Sequence, residues 1–169
     1  MTDKNESTPH ARPLWAPWRI EYIRSAKPDG CFFCEKGTRT EDVADHIIAR
    51  GETAFVLMND FPYNSGHVLV APYRHVSDLS LLETVERNEI MELLVKAEEV
   101  LRKVMAPSGF NIGFNLGESA GAGVADHVHG HVVPRWIGDT NFMPVLADRR
   151  VVPEALEETA NLLREAWNA

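Results

Sequence analysis

The apolar residues of this chain follow two spacings, and each spacing predicts a different kind of element. Between residues 84 and 105 they recur every three or four positions, with Glu, Lys and Arg on the opposite face. They are Ile90, Leu93, Leu94, Ala97, Leu101 and Val104. This spacing predicts one long amphipathic helix that Pro107 and Gly109 end. A second, C-terminal helix is predicted over residues 153–167, with Pro153 at its first position.

Short apolar runs bounded by turn residues predict the strands. They cover residues 54–58, 67–71, 110–115 and 127–134. The first two are joined by a compact link around Asn64-Ser65-Gly66, which predicts an antiparallel pair. The start of the long helix has two candidate signals, a capping box of Ser80 with Glu83 and an N-cap at Thr84.

Composition and charge place the chain among ordinary folded proteins. Its 169 residues suggest one domain, and 44% hydrophobic with 25% charged residues are typical of a globular protein. Seventeen Lys and Arg against 25 Asp and Glu leave a net charge of −8, which argues against a nucleic-acid-binding surface. No apolar stretch approaches the roughly 20 residues of a membrane span. Neither a nucleic acid nor a membrane is therefore expected as a partner.

The N-terminal residues and the cysteines suggest where the protein works. Residues 1–13 are predicted to form a flexible polar tail before a domain that covers residues 14–169. The tail lacks the apolar segment of a secretory signal. Cys31 and Cys34 are the only cysteines, so no disulfide framework exists. Both observations favour a cytoplasmic, reducing compartment.

Three of the seven histidines lie at every second position of one predicted strand. Residues two apart share a face of a strand, so His127, His129 and His131 point one way while Val128 and Val132 point the other. A packed core does not favour three adjacent imidazoles, and we interpret them as functional. One use is a shared metal, although the outer pair would lie ~13 Å apart. The other is a division of labour, in which a neutral imidazole attacks phosphorus and a neighbour donates to a phosphate oxygen.

The loop ahead of these histidines, Gly117 to Gly123, is rich in glycine. Its three glycines allow main-chain N–H groups to approach an anion closely. The first five residues also match the G-x-S-x-G elbow of serine hydrolases, with Ser119 in the centre. We discount that match, because an elbow needs a helix after the serine and a loop followed by a strand is predicted here.

Cys31 and Cys34 form a C-x-x-C motif. A redox motif of this kind belongs to a βαβ unit, which the pattern does not predict. A zinc site needs two further ligands, which histidine would have to supply. His75, just after a predicted strand, and His127 are the candidates, and spacing alone favours zinc only slightly.

Together these motifs resemble the histidine triad (HIT) family. The segment His127–Val133 matches the family signature H-φ-H-φ-H-φ-φ, where φ is apolar, and Gly66–Val70 matches its upstream strand. Three further segments are similar to the bacterial branch of diadenosine tetraphosphate phosphorylases (ATP adenylyltransferases). They are Leu14–Arg19, Pro134–Trp136 and Gly138–Phe142.

The resemblance implies an α+β fold in a single domain. An antiparallel sheet would carry the long helix and the C-terminal helix, usually in a homodimer. It also implies a ping-pong reaction, in which His129 attacks the α-phosphorus of a nucleotide and forms a covalent nucleotidyl-histidine. His131 would hydrogen-bond phosphate oxygens or the leaving group, and His67 would support the same site.

The resemblance further implies a set of binding residues. Asn59 falls where the family contacts the ribose hydroxyls, and Asn115 falls near its phosphate-side amide. Ala122 and Gly123 replace the Gln and Ser/Thr of many members, so phosphate contact is expected from main-chain N–H groups at Gly121 and Gly123. In zinc-containing members of the family, the zinc ligands match four residues of this chain, which would form a structural metal site. They are Cys31, Cys34, His75 and His127.

The expected activity is cleavage of dinucleoside polyphosphates by nucleotidyl transfer or hydrolysis. The second-step acceptor, water or phosphate, and a need for Mg²⁺ with the substrate stay open. The alternatives are hydrolysis of adenosine 5′-phosphoramidates, a non-catalytic zinc-stabilised nucleotide-binding module, and a zinc hydrolase that uses the triad as its metal site. One departure from the family pattern is Gly130, which replaces a bulky residue and predicts looser packing behind the strand.

Overall fold

The computed structural model describes residues 30–139 and 155–169 of the chain. The helices are α1 (Phe32–Thr38), α2 (Thr84–Met105) and α3 (Leu156–Trp167). The strands are β1 (Ile47–Arg50), β2 (Ala54–Met58), β3 (Val68–Pro72), β4 (Gly109–Phe114) and β5 (Gly130–Arg135). Short 3₁₀ turns lie at Leu79–Leu81 and Glu118–Ala120.

The five strands form one sheet in the order β1-β2-β3-β5-β4, and all neighbouring strands are antiparallel. β2 and β3 pair without interruption from Ala54↔Pro72 to Met58↔Val68, as the compact link between them predicts. Both strands are buried along their whole length, so they form the centre of the fold. The predicted α+β architecture is confirmed.

One predicted strand boundary is wrong. The strand expected over residues 127–134 begins only at Gly130, so His127 and His129 precede it. The reason is a change of hydrogen-bond partner, because the N–H of Val128 donates to the carbonyl of Val76 at 2.7 Å, outside the sheet. Pairing between β3 and β5 accordingly runs from Val68↔Val132 to Val70↔Gly130.

The long helix has the predicted bounds but a different start signal. Its N-cap is Glu83, which forms a capping box with Glu86. Ser80 instead lies in the preceding 3₁₀ turn, where its N–H donates to the side chain of Asp78 at 2.8 Å. Thr84 is already the first helical residue. Both predicted caps are therefore wrong.

The main core lies between one face of the sheet and the helices α2 and α3. The helices bury Ile90, Leu94, Ala97, Leu101, Ala160 and Leu163. The opposite face carries a smaller core built around Phe33 of α1. Its other members are Ile47, Phe55, Leu57, Leu69 and Ala71. α1 therefore packs on the face of the sheet opposite the long helix.

The space behind Gly130 is filled, contrary to the looser packing predicted for it. A Cβ built there would lie 3.1 Å from Leu94 Cδ2 and 3.1 Å from Phe114 Cε1. Side chains of helix α2 and strand β4 therefore occupy the space that a larger side chain at position 130 would need. The glycine brings the helix nearer to the strand.

Several predictions fall on residues that lie outside the described ranges. They are the tail 1–13 and the segments Leu14–Arg19 and Thr140–Phe142. The helix start predicted at Pro153 is wrong, because α3 begins at Leu156 and its N-cap Ala155 has an extended conformation. In the part of the chain that the structure describes, no helix is both long and apolar enough to cross a membrane.

Candidate active site and metal centre

The three histidines of the motif share one side of the chain. Val128 and Val132 lie in the main core between the sheet and α2, so the alternating histidines face the side that carries α1. The imidazole centroids of His129 and His131 are 4.9 Å apart. His67, directly before β3, joins them with its ring centroid 5.2 Å from that of His131. Antiparallel pairing of β3 with β5 therefore brings together histidines that lie 64 residues apart.

His129 has one ring nitrogen occupied and the other available. Its Nδ1 lies 2.7 Å from the main-chain carbonyl of His127. A carbonyl oxygen only accepts, so Nδ1 carries the proton and Nε2 carries the lone pair. None of the described residues makes a hydrogen bond to that Nε2. The side chain is 5% exposed, and burial lowers the pKa of His129 below its usual value, which keeps the ring neutral at pH 7.

A chain of hydrogen bonds determines the tautomer of His131. The main-chain N–H of Tyr63 donates to His67 Nδ1 at 3.0 Å, so the proton of the neutral His67 ring is on Nε2. That Nε2 lies 3.0 Å from His131 Nδ1 and donates to it. His131 therefore carries its own proton on Nε2.

The Nε2 atom of His131 is buried and has no hydrogen-bond partner among the described residues. Burial and, to a lesser degree, the nearby His129 lower the pKa of His131 to about 4, so the ring is neutral at pH 7. A buried N–H without a partner costs free energy unless a ligand supplies the acceptor. The site thus places an unpaired donor beside a bare imidazole lone pair.

Of the predicted nucleotide-binding residues, Asn59 contacts one of these histidines. The amide Nδ2 of Asn59 lies 3.2 Å from His67 Nδ1, and its Oδ1 accepts the N–H of Phe61 at 2.9 Å. Asn115 directly follows β4 and is half-buried. Gly121 has a φ of 89° and its N–H donates to the carbonyl of Glu118 at 2.9 Å, while Gly123 is exposed. The Gly121 N–H would therefore have to leave its turn to reach a phosphate.

Ser119 does not sit in a nucleophile elbow. It lies in the exposed 3₁₀ turn Glu118–Ala120, which loop residues connect to β5. No α-helix follows it before that strand. The local structure therefore lacks the strand-to-helix turn that a serine hydrolase requires.

Two cysteines and two histidines form a cluster of potential metal ligands. The four side chains of Cys31, Cys34, His75 and His127 each offer one ligand atom, and these atoms lie within 4.8 Å of one another. Cys31 Sγ is 3.3 Å from His127 Nδ1, and Cys34 Sγ is 3.4 Å from His75 Nδ1. A tetrahedral zinc site with ordinary bond lengths has sulfur–nitrogen edges of about 3.6 Å. The donor set and its dimensions fit such an ion.

His127 connects this cluster to the triad. Its Nε2 donates to the carbonyl of Pro72 at 2.9 Å, which leaves the lone pair of Nδ1 directed at the two thiols. Burial lowers the pKa of His127 to about 4, so this lone pair stays free of a proton at neutral pH. Among the described residues, this cluster is the one group of three or more potential metal ligands, and it does not include His129 or His131.

Two residues that matter here were not predicted. Phe33, 2% exposed, places its ring 5.0 Å from that of His127 and 4.6 Å from that of His129, measured between centroids. Its position between the two cysteines was the available signal. Tyr63 places its ring, tilted, 4.8 Å from that of His67 between centroids, and its main-chain N–H donates to the same histidine. Only its place before the Asn64-Ser65-Gly66 link could have suggested it.

The antiparallel sheet presents the Nε2 lone pair of His129 beside the Nε2–H of His131, an arrangement suited to attack on a phosphorus ester. A model of the HIT domain matches residues 40–136, which is more than half of the chain. The chain therefore belongs to the HIT family.

Similar proteins include enzymes and a zinc-containing structure. The AP-4-A phosphorylase of Mycobacterium tuberculosis is 40% identical over 162 residues, covering 91% of this chain and 83% of that protein. The asymmetrical bis(5′-nucleosyl)-tetraphosphatase of Schizosaccharomyces pombe is 36% identical over 93 residues, or 55% of this chain and 50% of that protein. A Zn-bound histidine triad family protein from Mycobacterium smegmatis superposes with a TM-score of 0.65 at 29% identity, covering 82% of this chain and 94% of that one.

Proposed function

We propose that this protein is an enzyme that cleaves dinucleoside polyphosphates by nucleotidyl transfer through His129. The single observation that carries the proposal is the state of that side chain. Its Nδ1 is held by the carbonyl of His127, while its Nε2 is unpaired within the described residues. Such a tautomer is what in-line attack on phosphorus requires.

The reaction balances without a resident acid. The Nε2 lone pair of His129 forms a bond to the α-phosphorus, and the bond from phosphorus to the bridging oxygen breaks. The electron pair leaves with that oxygen, which the Nε2–H of His131 stabilises by a hydrogen bond. The resulting N-phosphoryl imidazolium keeps its Nδ1 proton on the carbonyl of His127. Water or phosphate then attacks the phosphorus, the bond from phosphorus to Nε2 breaks, and its electron pair returns to Nε2. An attacking water releases one proton to the solvent.

The substrate class is supported by the relatives. The phosphorylase from M. tuberculosis and the tetraphosphatase from S. pombe both carry names of enzymes that act on dinucleoside tetraphosphates. In this chain we assign the ribose to Asn59 and the phosphates to Asn115, Gly121 and Gly123. Hydrolysis of adenosine 5′-phosphoramidates by the same site is the alternative, because the attacking atom and the α-phosphate would be unchanged.

The metal that the cluster suits best is zinc in a structural role. Two thiolates and two imidazoles supply a closed set of four ligands, Cys31, Cys34, His75 and His127. Such an ion would hold α1 against the segment that leads into β5. Mg²⁺ prefers oxygen ligands, so we assign it to the polyphosphate substrate rather than to this cluster.

We further propose a cytoplasmic homodimer. A reducing compartment keeps the two thiols available for a metal. Strand β4 forms one edge of the sheet, and an exposed edge invites pairing with another chain. Ile112 on β4 and Met91 and Val95 on α2 are 46%, 56% and 45% exposed, which is apolar surface that a second copy could cover. The molar mass in solution tests this assembly.

Intact-protein mass spectrometry after brief mixing with diadenosine tetraphosphate tests the catalytic proposal. The wild type should carry one nucleotidyl group, and His129→Ala should lose the adduct together with at least roughly 10⁴-fold of the turnover. His46→Asn is the control, because it removes a histidine outside the triad. Turnover with and without phosphate identifies the acceptor, and the phosphoramidate is assayed in parallel.

Two results would contradict the proposal. Normal turnover by His129→Ala would exclude the covalent mechanism. Binding of AMP by the wild type without any adduct or product would indicate a nucleotide-binding module that does not catalyse.

A further inference from the structure

A second polar network supports the triad from beyond the end of β5. Asp139 has a side chain that is only 7% exposed, and its carboxylate gathers several donors. Arg135 donates from Nε at 2.6 Å and from Nη2 at 2.9 Å. The main-chain N–H of Trp136 donates at 3.1 Å, and the amide of Asn64 donates at 2.9 Å. Arg135 and these other donors lower the pKa of Asp139 to about 2, so the carboxylate is ionised.

The contact with Asn64 joins segments that lie 75 residues apart. The same amide also donates to the carbonyl of Pro134 at 3.0 Å, so the side chain of Asn64 is fastened twice to the end of β5. The main chain around Asn64 is bound to His67. The carbonyl of Asn64 accepts the His67 N–H at 3.2 Å, and the preceding N–H, that of Tyr63, donates to His67 Nδ1.

Close packing leaves this turn little freedom. Gly66 has a φ of +72°, and a Cβ there would lie 2.5 Å from Met105 Sδ and 3.2 Å from Pro134 Cγ. The turn therefore lies directly against α2 and β5. Hydrogen bonds at 2.9–3.2 Å then lead from the carboxylate to Asn64, to the turn, to His67 and to His131.

We propose that Asp139 is a positioning residue, which through Asn64 holds His67 in the tautomer that gives His131 its Nε2 proton. This inference rests on the proposed function, in which that proton stabilises the departing oxygen. Losing the carboxylate removes one of the two contacts that hold the Asn64 amide and leaves only that to the carbonyl of Pro134, so the Tyr63–Asn64 turn shifts within its packing and the acceptor geometry of His67 Nδ1 changes. The attacking His129 is untouched, because its Nδ1 is held by His127 alone. The defect is therefore confined to the leaving group.

Two adenosine 5′-monophosphate aryl esters separate this role from a structural one. The phenyl ester releases a strongly basic phenolate, with a pKa of about 10, whereas 4-nitrophenolate is a far weaker base and leaves unaided. Rates of nucleotidyl-enzyme formation are measured with both esters for the wild type, Asp139→Asn and Asn64→Ala. Asp42→Asn is the matched control, since Asp42 pairs with Arg50 at 2.8 Å in a similar ion pair.

We expect Asp139→Asn and Asn64→Ala to lose about 10-fold with the phenyl ester, the effect of one misplaced hydrogen bond, and less than about 2-fold with the nitrophenyl ester. Asp42→Asn should keep the wild-type ratio. Equal losses with both esters, no loss with either, or the same change of ratio in Asp42→Asn would overturn the proposal. Should Asp139→Asn fail to fold, Asn64→Ala alone decides. A wild type that forms no adduct with either ester would instead refute the proposed function, and this inference with it.

Discussion

Replacing Gly130 by alanine tests how closely the long helix approaches the triad. The added Cβ would meet Leu94 Cδ2 and Phe114 Cε1, each at 3.1 Å, and ordinary van der Waals contact needs several tenths of an ångström more. Overpacking of this kind costs about 1–3 kcal/mol. Removing a glycine from a strand recovers about 0.5–1 kcal/mol of backbone entropy. The net effect is a loss of up to about 2.5 kcal/mol in the free energy of unfolding.

The neighbouring strand offers a matched control. Gly113 pairs with His131 across the β4–β5 ladder, and a Cβ built there has nothing within 4 Å. Gly113→Ala has the entropic gain without the clash, so the two variants should differ by about 1–3 kcal/mol. Urea unfolding of both variants at one fixed concentration of free zinc measures this difference. Equal stability of the two variants would show that helix α2 does not limit the space behind β5.

The same substitution should disturb catalysis. Gly130 separates His129 from His131 in the chain, and any shift of β5 away from Leu94 changes the 4.9 Å separation of their rings. We expect the rate of nucleotidyl-enzyme formation to fall in Gly130→Ala and to stay at the wild-type level in Gly113→Ala.

Three further predictions concern the metal and the buried rings. Phe33→Ala should lower the free energy of unfolding by about 3–5 kcal/mol, since Phe33 is 2% exposed. The control Val43→Ala, at an exposed position, should change it by no more than about 0.5 kcal/mol. An equally small change in Phe33→Ala would show that the metal ligands, and not this ring, hold α1. Cys34→Ser should lose bound zinc, measured by elemental analysis, and activity should then decline with the thermal transition; loss of activity on chelation with an unchanged transition would favour a catalytic metal instead. The pKa of His131 in the folded protein, about 4, lies below the 6.5 of an unperturbed ring, so the unfolded chain takes up the proton first. The stability from this group is complete above pH 6.5 and is lost as pH falls towards 4, by as much as about 3 kcal/mol; stability measured against pH should be flatter in His131→Asn, and identical slopes would refute the assignment.

Local pattern was sufficient for the elements whose residues carry their own signal. Helix α2 has the bounds that its apolar spacing and Pro107 predict, because burial of one helical face reinforces the local preference. The predicted strand boundary and cap failed for two different reasons. The strand boundary depends on a distant partner, because the N–H of Val128 leaves the sheet for the carbonyl of Val76. The cap is itself local, since Glu83 and Glu86 lie three residues apart, but a glutamate at the N-cap departs from the Ser/Thr pattern that predicts a capping box.

The residues of the candidate site also fall into those that the sequence pattern identifies and those that only the tertiary structure identifies. The C-x-x-C motif and the triad name five of its residues by type and spacing. His75 was a candidate from its place after a predicted strand, and the resemblance to HIT proteins supplied the roles of His67 and His75. The Asp139–Asn64 contact has no local signature, because it depends on chain segments that only the sheet brings together. The place of Phe33 between the two cysteines was a local signal, but its ring contact with His129 depends on the tertiary structure.

The amino-acid sequence by itself determined that three imidazoles lie on one face, since alternation is a property of any extended chain. It did not determine which of them does what. The role of each ring depends on which of its two nitrogens carries the proton, and a hydrogen-bond partner determines that nitrogen. The partner is the carbonyl of Pro72 for His127, the carbonyl of His127 for His129, and His67 for His131. A main-chain carbonyl can only accept and a main-chain N–H can only donate, so tertiary structure decides which nitrogen keeps its lone pair.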